Sequence, residues 1–179
     1  EYVCASGISP SGIVHAGNFR EIITTDFVVK SLKNKGEEVR FIYSWDDYDR
    51  FRKVPSNIPD SFEQYLGLPL VEVPDPEDCH DSYAEHFEAQ LENELEELQM
   101  DIEFIRQSKK YRNADYTEKV KKALQNRKEI KKILDKYRKE PLEEPYFPLR
   151  VYCKECGKDY TEVTSYDGKY TVEYHCQEC

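Results

Sequence analysis

The chain contains no run of about 18 consecutive apolar residues, the length that a helix needs to cross a membrane. We therefore expect no membrane span. It also shows no signal peptide, because Glu1 is followed directly by a short apolar segment that reads as a strand. Hydrophobic residues make up 39% and charged residues 35% of the 179 positions, which is typical of a soluble globular protein with a modest core.

Two common phosphate-binding loops are also missing. No Gly-Lys-Ser/Thr follows the glycine-rich turn near the start of the chain, which excludes a Walker-type loop. No Gly-x-Gly-x-x-Gly is present either, which excludes the dinucleotide fingerprint. Any nucleotide site in this chain must therefore be built in another way.

Basic side chains are unevenly distributed. Lys and Arg are absent from residues 54–105, which carry 15 acidic side chains, whereas residues 106–139 carry 14 basic and 4 acidic ones. The net charge of -10 argues against indiscriminate nucleic-acid binding but not against a local basic face. Residues 106–139 are either a solvated helix surface or a contact for nucleic acid.

Residues 1–53 predict a strand, a helix and a second strand, at residues 2–5, 19–32 and 39–44. A unit of this length is a right-handed crossover between parallel strands. Ligands bind at the carboxyl ends of such strands. We therefore expect residues 6–9 and 44–49 to lie side by side on one rim of the sheet.

The rest of the chain predicts mostly helix. An irregular, proline-rich connection over 54–79 leads to a helix at 81–98, with Trp45 before it expected in the core. A short strand is expected at 102–105 and a second long helix at 116–137. Two domains follow from this pattern: residues 1–145, with an insertion from about residue 54, and residues 146–179.

Four of the six cysteines form two Cys-x-x-Cys pairs separated by 19 residues: Cys153, Cys156, Cys176 and Cys179. This spacing, around an Asp167-Gly168 turn signal, predicts a zinc ribbon with a closed, structural four-thiolate site. Two disulfides are the alternative. The spacing and the lack of a secretion signal favour metal in a reducing compartment, so we expect a cytoplasmic protein.

A second metal site is conceivable where His80 and His86 lie six residues apart beside Cys79. We favour a packed helix start there. His175 could replace a sulfur in the cysteine module, but it adjoins Cys176 and would point the other way along a strand.

The glycine-rich turn over residues 6–18 indicates a site for a nucleoside triphosphate. Its glycines let the backbone approach a phosphate or purine closely. The following helix start offers unpaired N–H groups and partial positive charge. His15 and Asn18 are one helical turn apart, so both can face the same ligand.

The motif His15-Ala16-Gly17-Asn18 resembles the His-Ile-Gly-His signature of class I aminoacyl-tRNA synthetases. The longer run over residues 6–21 is similar to one branch, the archaeal-type class I lysyl-tRNA synthetases. Two further stretches, residues 45–53 and 72–87, resemble the same branch in the same order. The resemblance covers most of the chain and is strongest before residue 90.

This resemblance implies ATP-dependent ligation of L-lysine to tRNA(Lys) through a lysyl-adenylate, with Mg²⁺ accompanying ATP. Asn18 departs from the second His of the class signature: it still donates hydrogen bonds but cannot carry a proton. The implied catalytic residues are His15 and Asn18. The implied ATP-binding residues are Ser11, His15, Gly17 and Asn18, and the implied lysine-binding residues are Gly7, Ser9 and Asp46.

The implied fold is α/β, a Rossmann-like (HUP-type) parallel half-sheet with a helical insertion and a zinc-ribbon module. The second class signature, Lys-Met-Ser-Lys-Ser, does not occur in this sequence. We therefore expect the amino-terminal part of a longer catalytic domain, inactive alone and prone to self-association. The alternatives are a non-catalytic zinc-ribbon module that binds tRNA or protein, and another class I synthetase of glutamyl type.

Overall fold

The computed structural model describes all of residues 1–179 as two compact units, residues 1–109 and 110–179. The division lies well before residue 145 because residues 110–145 pack with the cysteine-bearing hairpin. For example, the Lys121 ammonium lies 4.1 Å from the centre of the Tyr170 ring. The assignment of separate domains 1–145 and 146–179 stays a prediction. No helix in either unit is long and apolar enough to span a membrane.

The first unit is built on a parallel three-stranded sheet in the order β1-β2-β3. The strands are β1 (Tyr2–Ile8), β2 (Val39–Trp45) and β3 (Glu103–Arg106), and α1 (Ala16–Asn34) connects the first two. The register places Gly7 opposite Ser44 and Ile8 opposite Trp45. The predicted strand–helix–strand unit is therefore confirmed, with β1 three residues and β2 one residue longer at the end that carries the rim.

The core of this unit forms between the sheet and the helices α1 and α2 (Tyr83–Glu97). β-Branched and aromatic side chains in the strands meet apolar positions spaced by three or four residues in the helices. Trp45 is fully buried, as expected for a core residue. The buried members are Ile22, Val29, Phe41, Tyr43, Trp45, Leu91 and Leu95.

The connection over residues 54–79 is irregular, as predicted, apart from two short 3₁₀ turns at Asp60–Tyr65 and Leu70–Glu72. It covers a second apolar cluster at the start of α2, which includes Phe51, Leu70 and Tyr83. Ser82 caps α2, since its hydroxyl accepts a hydrogen bond from the backbone N–H of Glu85 at 3.2 Å.

A partly buried charged network ties β2 and β3 to α2. The Arg106 guanidinium contacts a Glu88 carboxylate oxygen at 3.0 Å and a Glu92 oxygen at 2.7 Å. The indole N–H of Trp45 donates to the same Glu92 oxygen at 2.7 Å. Only 3% of Glu88 is exposed, and its second oxygen has no hydrogen-bond partner.

A short helix that the sequence analysis missed, α3 (Gln107–Arg112), follows β3 directly. Its Ser108 donates hydrogen bonds from the backbone N–H, at 2.7 Å, and from the hydroxyl to the buried carboxylate of Asp47. A helix of six residues is too short to show an apolar periodicity. Its first turn is stabilised by Asp47, which lies 61 residues from Ser108 in sequence, so no local pattern predicts it.

The second unit holds α4 (Thr117–Gln125), α5 (Arg127–Asp135) and an antiparallel hairpin of β4 (Thr161–Tyr166) and β5 (Val172–Cys176). One long helix was expected at 116–137, and that expectation is wrong. Asn126 interrupts it with φ -99° and ψ 16°, while its side-chain amide donates to the Lys122 carbonyl at 2.7 Å. Asn side chains compete with the helix for backbone partners in this way.

The buried carboxyl of Glu88 makes stability depend on pH. Burial raises the pKa of Glu88 to about 7, although the Arg106 guanidinium opposes the shift. Unfolded Glu titrates near ~4.3. Because the pKa of Glu88 is higher in the folded state, the free energy of unfolding is greatest below the pKa of the unfolded state. It falls as the pH rises from there through about 7.

We expect the free energy of unfolding to fall between pH 4 and pH 8 by up to about 3 kcal/mol more for the wild type than for Glu88→Gln. Urea denaturation across this pH range measures the difference. Glu96→Gln, at an exposed position of the same helix, should keep the wild-type slope. Parallel slopes for wild type and Glu88→Gln would contradict the assignment.

Candidate functional site

His15 is the N-terminal cap of α1. Its backbone is extended, with φ -110° and ψ 169°, and its Nδ1 accepts a hydrogen bond from the Gly17 N–H at 3.1 Å. In a neutral imidazole that accepts at Nδ1, the proton sits on Nε2. The cap therefore leaves an exposed N–H donor at the positive end of the helix.

Gly17 fixes the position of that imidazole. A Cβ at residue 17 would lie 2.9 Å from Cε1 and 3.0 Å from Nδ1 of His15, so any side chain would displace the ring. Asn18 follows in the same first turn, with its backbone N–H donating to the His15 carbonyl at 2.9 Å. The three residues of the His-x-Gly-Asn motif are thus brought together at one helix end.

Two hydrogen bonds hold the loop that precedes His15. The Ser11 backbone N–H donates to the Ser9 carbonyl at 2.8 Å, and the Tyr83 hydroxyl donates to the Ser11 carbonyl at 3.0 Å. Tyr83 is fully buried, and burial raises the pKa of its phenol to about 12, so it stays a donor. The sequence analysis did not single out Tyr83 and missed this role.

The candidate lysine-binding residues lie on the neighbouring rim. A Cβ at Gly7 would lie 2.4 Å from the Ser44 carbonyl oxygen, so glycine alone permits this strand contact. Beyond it, the Asp46 N–H donates to the Ile8 carbonyl at 2.9 Å, and the Ser9 hydroxyl donates to an Asp49 oxygen at 3.3 Å. The structure therefore places Gly7, Ser9 and Asp46 together.

The carboxylates at this rim differ in their hydrogen-bond and ion-pair partners. Asp47 is buried and held by Ser108, and Asp49 pairs with the Arg52 guanidinium at 3.0 Å. Partial burial and the nearby charges of Asp49 and Asp47 raise the pKa of Asp46. A cation placed here would relieve that repulsion. Glu21, which the sequence analysis did not single out, also reaches the rim and accepts from the Ser6 hydroxyl at 2.9 Å.

The four paired cysteines converge in the second unit. Their Sγ atoms all lie within 4.8 Å of one another, and three of the separations are 3.5 Å, 3.5 Å and 3.8 Å. Sulfurs at the corners of a tetrahedron with Zn–S bonds of ~2.3 Å are ~3.8 Å apart, whereas a disulfide needs ~2.05 Å. The donor set fits a four-thiolate zinc site, and all six cysteines are free.

The local backbone favours thiolate at this cluster. Hydrogen bonds from the backbone N–H groups of Cys156 and Glu155 lower the pKa of Cys153 to about 6. Gly157 turns the chain at φ 75° directly after the first pair, and its N–H donates to the Cys153 carbonyl at 2.9 Å. His175 is not among the converging donors.

A second cluster joins Cys79, His80 and His86 to Asp75, again with every donor within 4.8 Å of the others. Cys79 Sγ lies 3.1 Å and 3.3 Å from the two histidine Nδ1 atoms, and the Asp75 oxygens lie 3.5 Å and 3.1 Å from them. These separations match a tetrahedral set of sulfur, nitrogen and oxygen ligands.

Backbone N–H groups prepare Asp75 for this position. Burial opposes its ionisation, but hydrogen bonds from Glu77, Cys79 and His80 outweigh that effect and lower the pKa of Asp75 well below its usual range. The sequence analysis favoured a packed helix start here and omitted Asp75. The signal that could have found it is the spacing Asp-x3-Cys-His-x5-His.

The comparisons with known proteins agree with the motif at the start of α1. The family model described as tRNA synthetases class I (K) matches residues 1–179. The chain belongs to this family.

Relatives from three organisms share the name lysine–tRNA ligase. The chain is 50% identical to the protein of Pyrococcus furiosus over 99% of its own length and 35% of the relative's. It is 46% identical to that of Treponema pallidum, with 99% and 34% covered, and 43% identical to that of Methanocaldococcus jannaschii, with 100% and 34% covered. The chain thus spans about a third of the length of these curated relatives.

Membership of the class I (K) family confirms the resemblance on which the expected fold depended. The parallel three-stranded sheet with helices is consistent with the Rossmann-like class I domain. The individual roles of His15, Asn18, Ser11 and Gly17, and those of the lysine-side residues, stay predictions.

Proposed function

We propose that this chain supplies one wall of the active site of a lysine–tRNA ligase. The reaction activates L-lysine with ATP to lysyl-adenylate and then transfers the lysyl group to tRNA(Lys). The observation that carries the proposal is the His15 cap: its Nδ1 is occupied by the Gly17 N–H at 3.1 Å, and its Nε2–H is free at a helix N-terminus on the ligand-binding rim.

Adenylation brings a carboxylate against the α-phosphate of ATP, so the site must neutralise and align two anions. His15 donates from Nε2, Asn18 from its amide, and the first N–H groups of α1 add their partial charge. Gly17 and Ser11 leave backbone exposed for the nucleotide. Mg²⁺ would accompany the triphosphate and offset its charge.

Lysine brings two ammonium groups, which suit the carboxylates of the rim. Gly7 and Ser9 flank Ile8, whose carbonyl accepts from the Asp46 N–H, and the pKa of Asp46 is already raised by burial and by its acidic neighbours. An ammonium at Asp46 is favoured because it replaces repulsion between carboxylates with attraction. Glu21 supplies a second carboxylate on the same rim.

The name shared by the reported relatives favours the lysyl reaction over a glutamyl type. The non-catalytic alternative, a zinc-ribbon module that binds tRNA or protein, draws on the second unit alone. Activity assays separate the two, because a binding module needs neither His15 nor lysine.

His15→Ala tests the catalytic proposal in a chimera that joins this chain to the remaining part of the Pyrococcus furiosus relative. We expect lysine-dependent pyrophosphate exchange at saturating ATP and lysine to fall on the order of 100-fold, as for the loss of a transition-state donor. The chain should stay folded, because His15 is exposed and losing its cap on α1 costs only about 1 kcal/mol.

His175→Ala is the matched control, since His175 is also exposed and lies outside both donor clusters. It should keep the exchange rate of the parent chimera. Equal rates for His15→Ala and the parent would remove His15 from the active site.

The 179-residue chain alone should not catalyse lysine activation. It lacks the Lys-Met-Ser-Lys-Ser run and spans about a third of its relatives, so substrate can be bound without the groups that act on the transition state. Pyrophosphate exchange should be undetectable both with and without tRNA. Robust lysine-dependent pyrophosphate exchange by this chain would show that it does not lack groups needed for lysine activation.

Self-association of the isolated chain stays a prediction. β1 and β3 are the two edges of the sheet, and Tyr2 and Val3 of β1 are about half exposed. Unpaired edge strands with apolar side chains favour pairing with another copy. Sedimentation at several concentrations reports it directly.

We also propose that both donor clusters bind zinc and that each site is structural. The four thiolates of the cysteine module leave no ligand position for water. In the second cluster, Asp75, Cys79, His80 and His86 likewise provide four donors. Zinc there would join the end of the irregular connection to the first turn of α2, which carries Tyr83.

We expect metal analysis of the purified chain to give two zinc ions per molecule. Cys156→Ser and His86→Ala should each lose one, because each removes one ligand from a different cluster. Cys4→Ser, a cysteine outside both clusters, should keep two. Zinc-free protein with only two titratable thiols, those of Cys4 and Cys79, would instead support two disulfides in the cysteine module.

A further inference from the structure

The second unit contains an open cavity of about 260 Å³ between α4 and the β4–β5 hairpin. Besides small and apolar residues, four tyrosines and two lysines line it: Tyr111, Tyr116, Lys121, Tyr166, Lys169 and Tyr170. We call these six residues the tyrosine pocket. Its volume lies just below the ~300–1,000 Å³ of typical small-molecule sites, so it suits one ring system rather than a long segment.

The aromatic rings of the pocket are presented to solvent. Tyr170 is 73% exposed and Tyr111 is 50% exposed. The Tyr111 and Tyr116 rings pack edge to face with their centres 5.0 Å apart, which holds one wall rigid. On the other wall, the Tyr166 hydroxyl donates to the Lys169 carbonyl at 3.0 Å and fixes the turn that carries Tyr170.

Cations lie against these rings rather than away from them. Lys121 sits 4.1 Å from the centre of the Tyr170 ring, and Lys119 sits 5.6 Å from that of Tyr116. Such pairs hold a positive charge at the mouth of an aromatic cavity. The ligand that complements them has a flat π-face and a nearby negative charge.

The surroundings of the pocket are strongly basic. Residues 110–139, which lie in the same unit, carry 12 basic and 4 acidic side chains in a chain whose total charge is -10. Lys119, Lys122, Lys128 and Lys132 are exposed on α4 and α5. An acidic peptide would satisfy these charges but not four aromatic rings, whereas nucleic acid satisfies both.

We propose that the tyrosine pocket stacks an unpaired nucleobase of RNA, with the flanking phosphates held by Lys121 and Lys169. The identity of that RNA as tRNA rests on the proposed function. Single-stranded RNA is recognised in this way, by bases splayed onto aromatic side chains beside cationic groups. The site lies outside the rim that carries His15 and Asp46 and involves none of its residues.

The test is a fluorescence-anisotropy titration of the 179-residue chain with two labelled RNA hairpins. One carries a four-nucleotide 3′ single strand, and the other is the same hairpin with a blunt end. We expect the first to bind at least about ten-fold more tightly, the effect of one stacked base. With 2-aminopurine in the single strand, binding should quench its fluorescence through stacking.

Tyr170→Ala should abolish the preference and the quenching while leaving affinity for the blunt hairpin unchanged. Tyr170→Phe should retain both, because it keeps the ring. Tyr137→Ala is the matched control, since Tyr137 is 86% exposed on the same unit but outside the pocket. Circular dichroism and zinc content verify that each variant is folded.

Equal affinity for the two hairpins in the wild type would overturn the proposal and leave only non-specific phosphate binding. So would an equal loss in Tyr137→Ala and Tyr170→Ala, or no binding of either RNA. His15→Ala should bind both hairpins like the wild type. A failure of the proposed lysine activation would therefore be seen separately from a failure of the pocket.

Discussion

The close approach of β1 to β2 at Gly7 is the contact on which the candidate active site depends. A Cβ there would lie 2.4 Å from the Ser44 carbonyl oxygen, so only glycine allows the parallel register to continue into the Asp46–Ile8 hydrogen bond. That register sets the ends of both strands beside the start of α1. The proposed ATP and lysine residues thus take their positions from backbone geometry before any side chain contributes.

The start of α2 supports the same rim from outside the sheet. The hydroxyl of Tyr83 holds the Ser11 carbonyl, and Tyr83 lies between His80 and His86 of the second donor cluster in the chain. A metal ion bound there would restrain the residues that position this tyrosine. Metal binding at the second donor cluster would in this way order the proposed ATP loop, although the cluster includes none of the proposed ATP-binding residues.

Features encoded within a few neighbouring residues were predictable from the sequence. The glycine-rich turn, the helix start near His15, the hairpin turn at Asp167-Gly168 and the cysteine pairs all have short-range patterns. Features that depend on convergence were not. Asp75 joins Cys79 only because backbone N–H groups fold the chain around its carboxylate, and α3 depends on Asp47 in another element. The break at Asn126 depends on a side-chain amide that bonds to the Lys122 carbonyl in competition with the backbone of the helix.

The cysteine module and the tyrosine pocket are physically coupled within the second unit. A two-stranded hairpin is marginally stable by itself in water, and few well-buried apolar residues lie near β4–β5, among them Leu124, Cys153 and Val163. Ligation of four thiolates contributes directly to the folding of such small modules. The turn that carries Lys169 and Tyr170 lies at the far end of the same hairpin. Zinc bound at the four thiolates would therefore act on the pocket through the strands, since the pocket keeps its second wall only while the hairpin is formed.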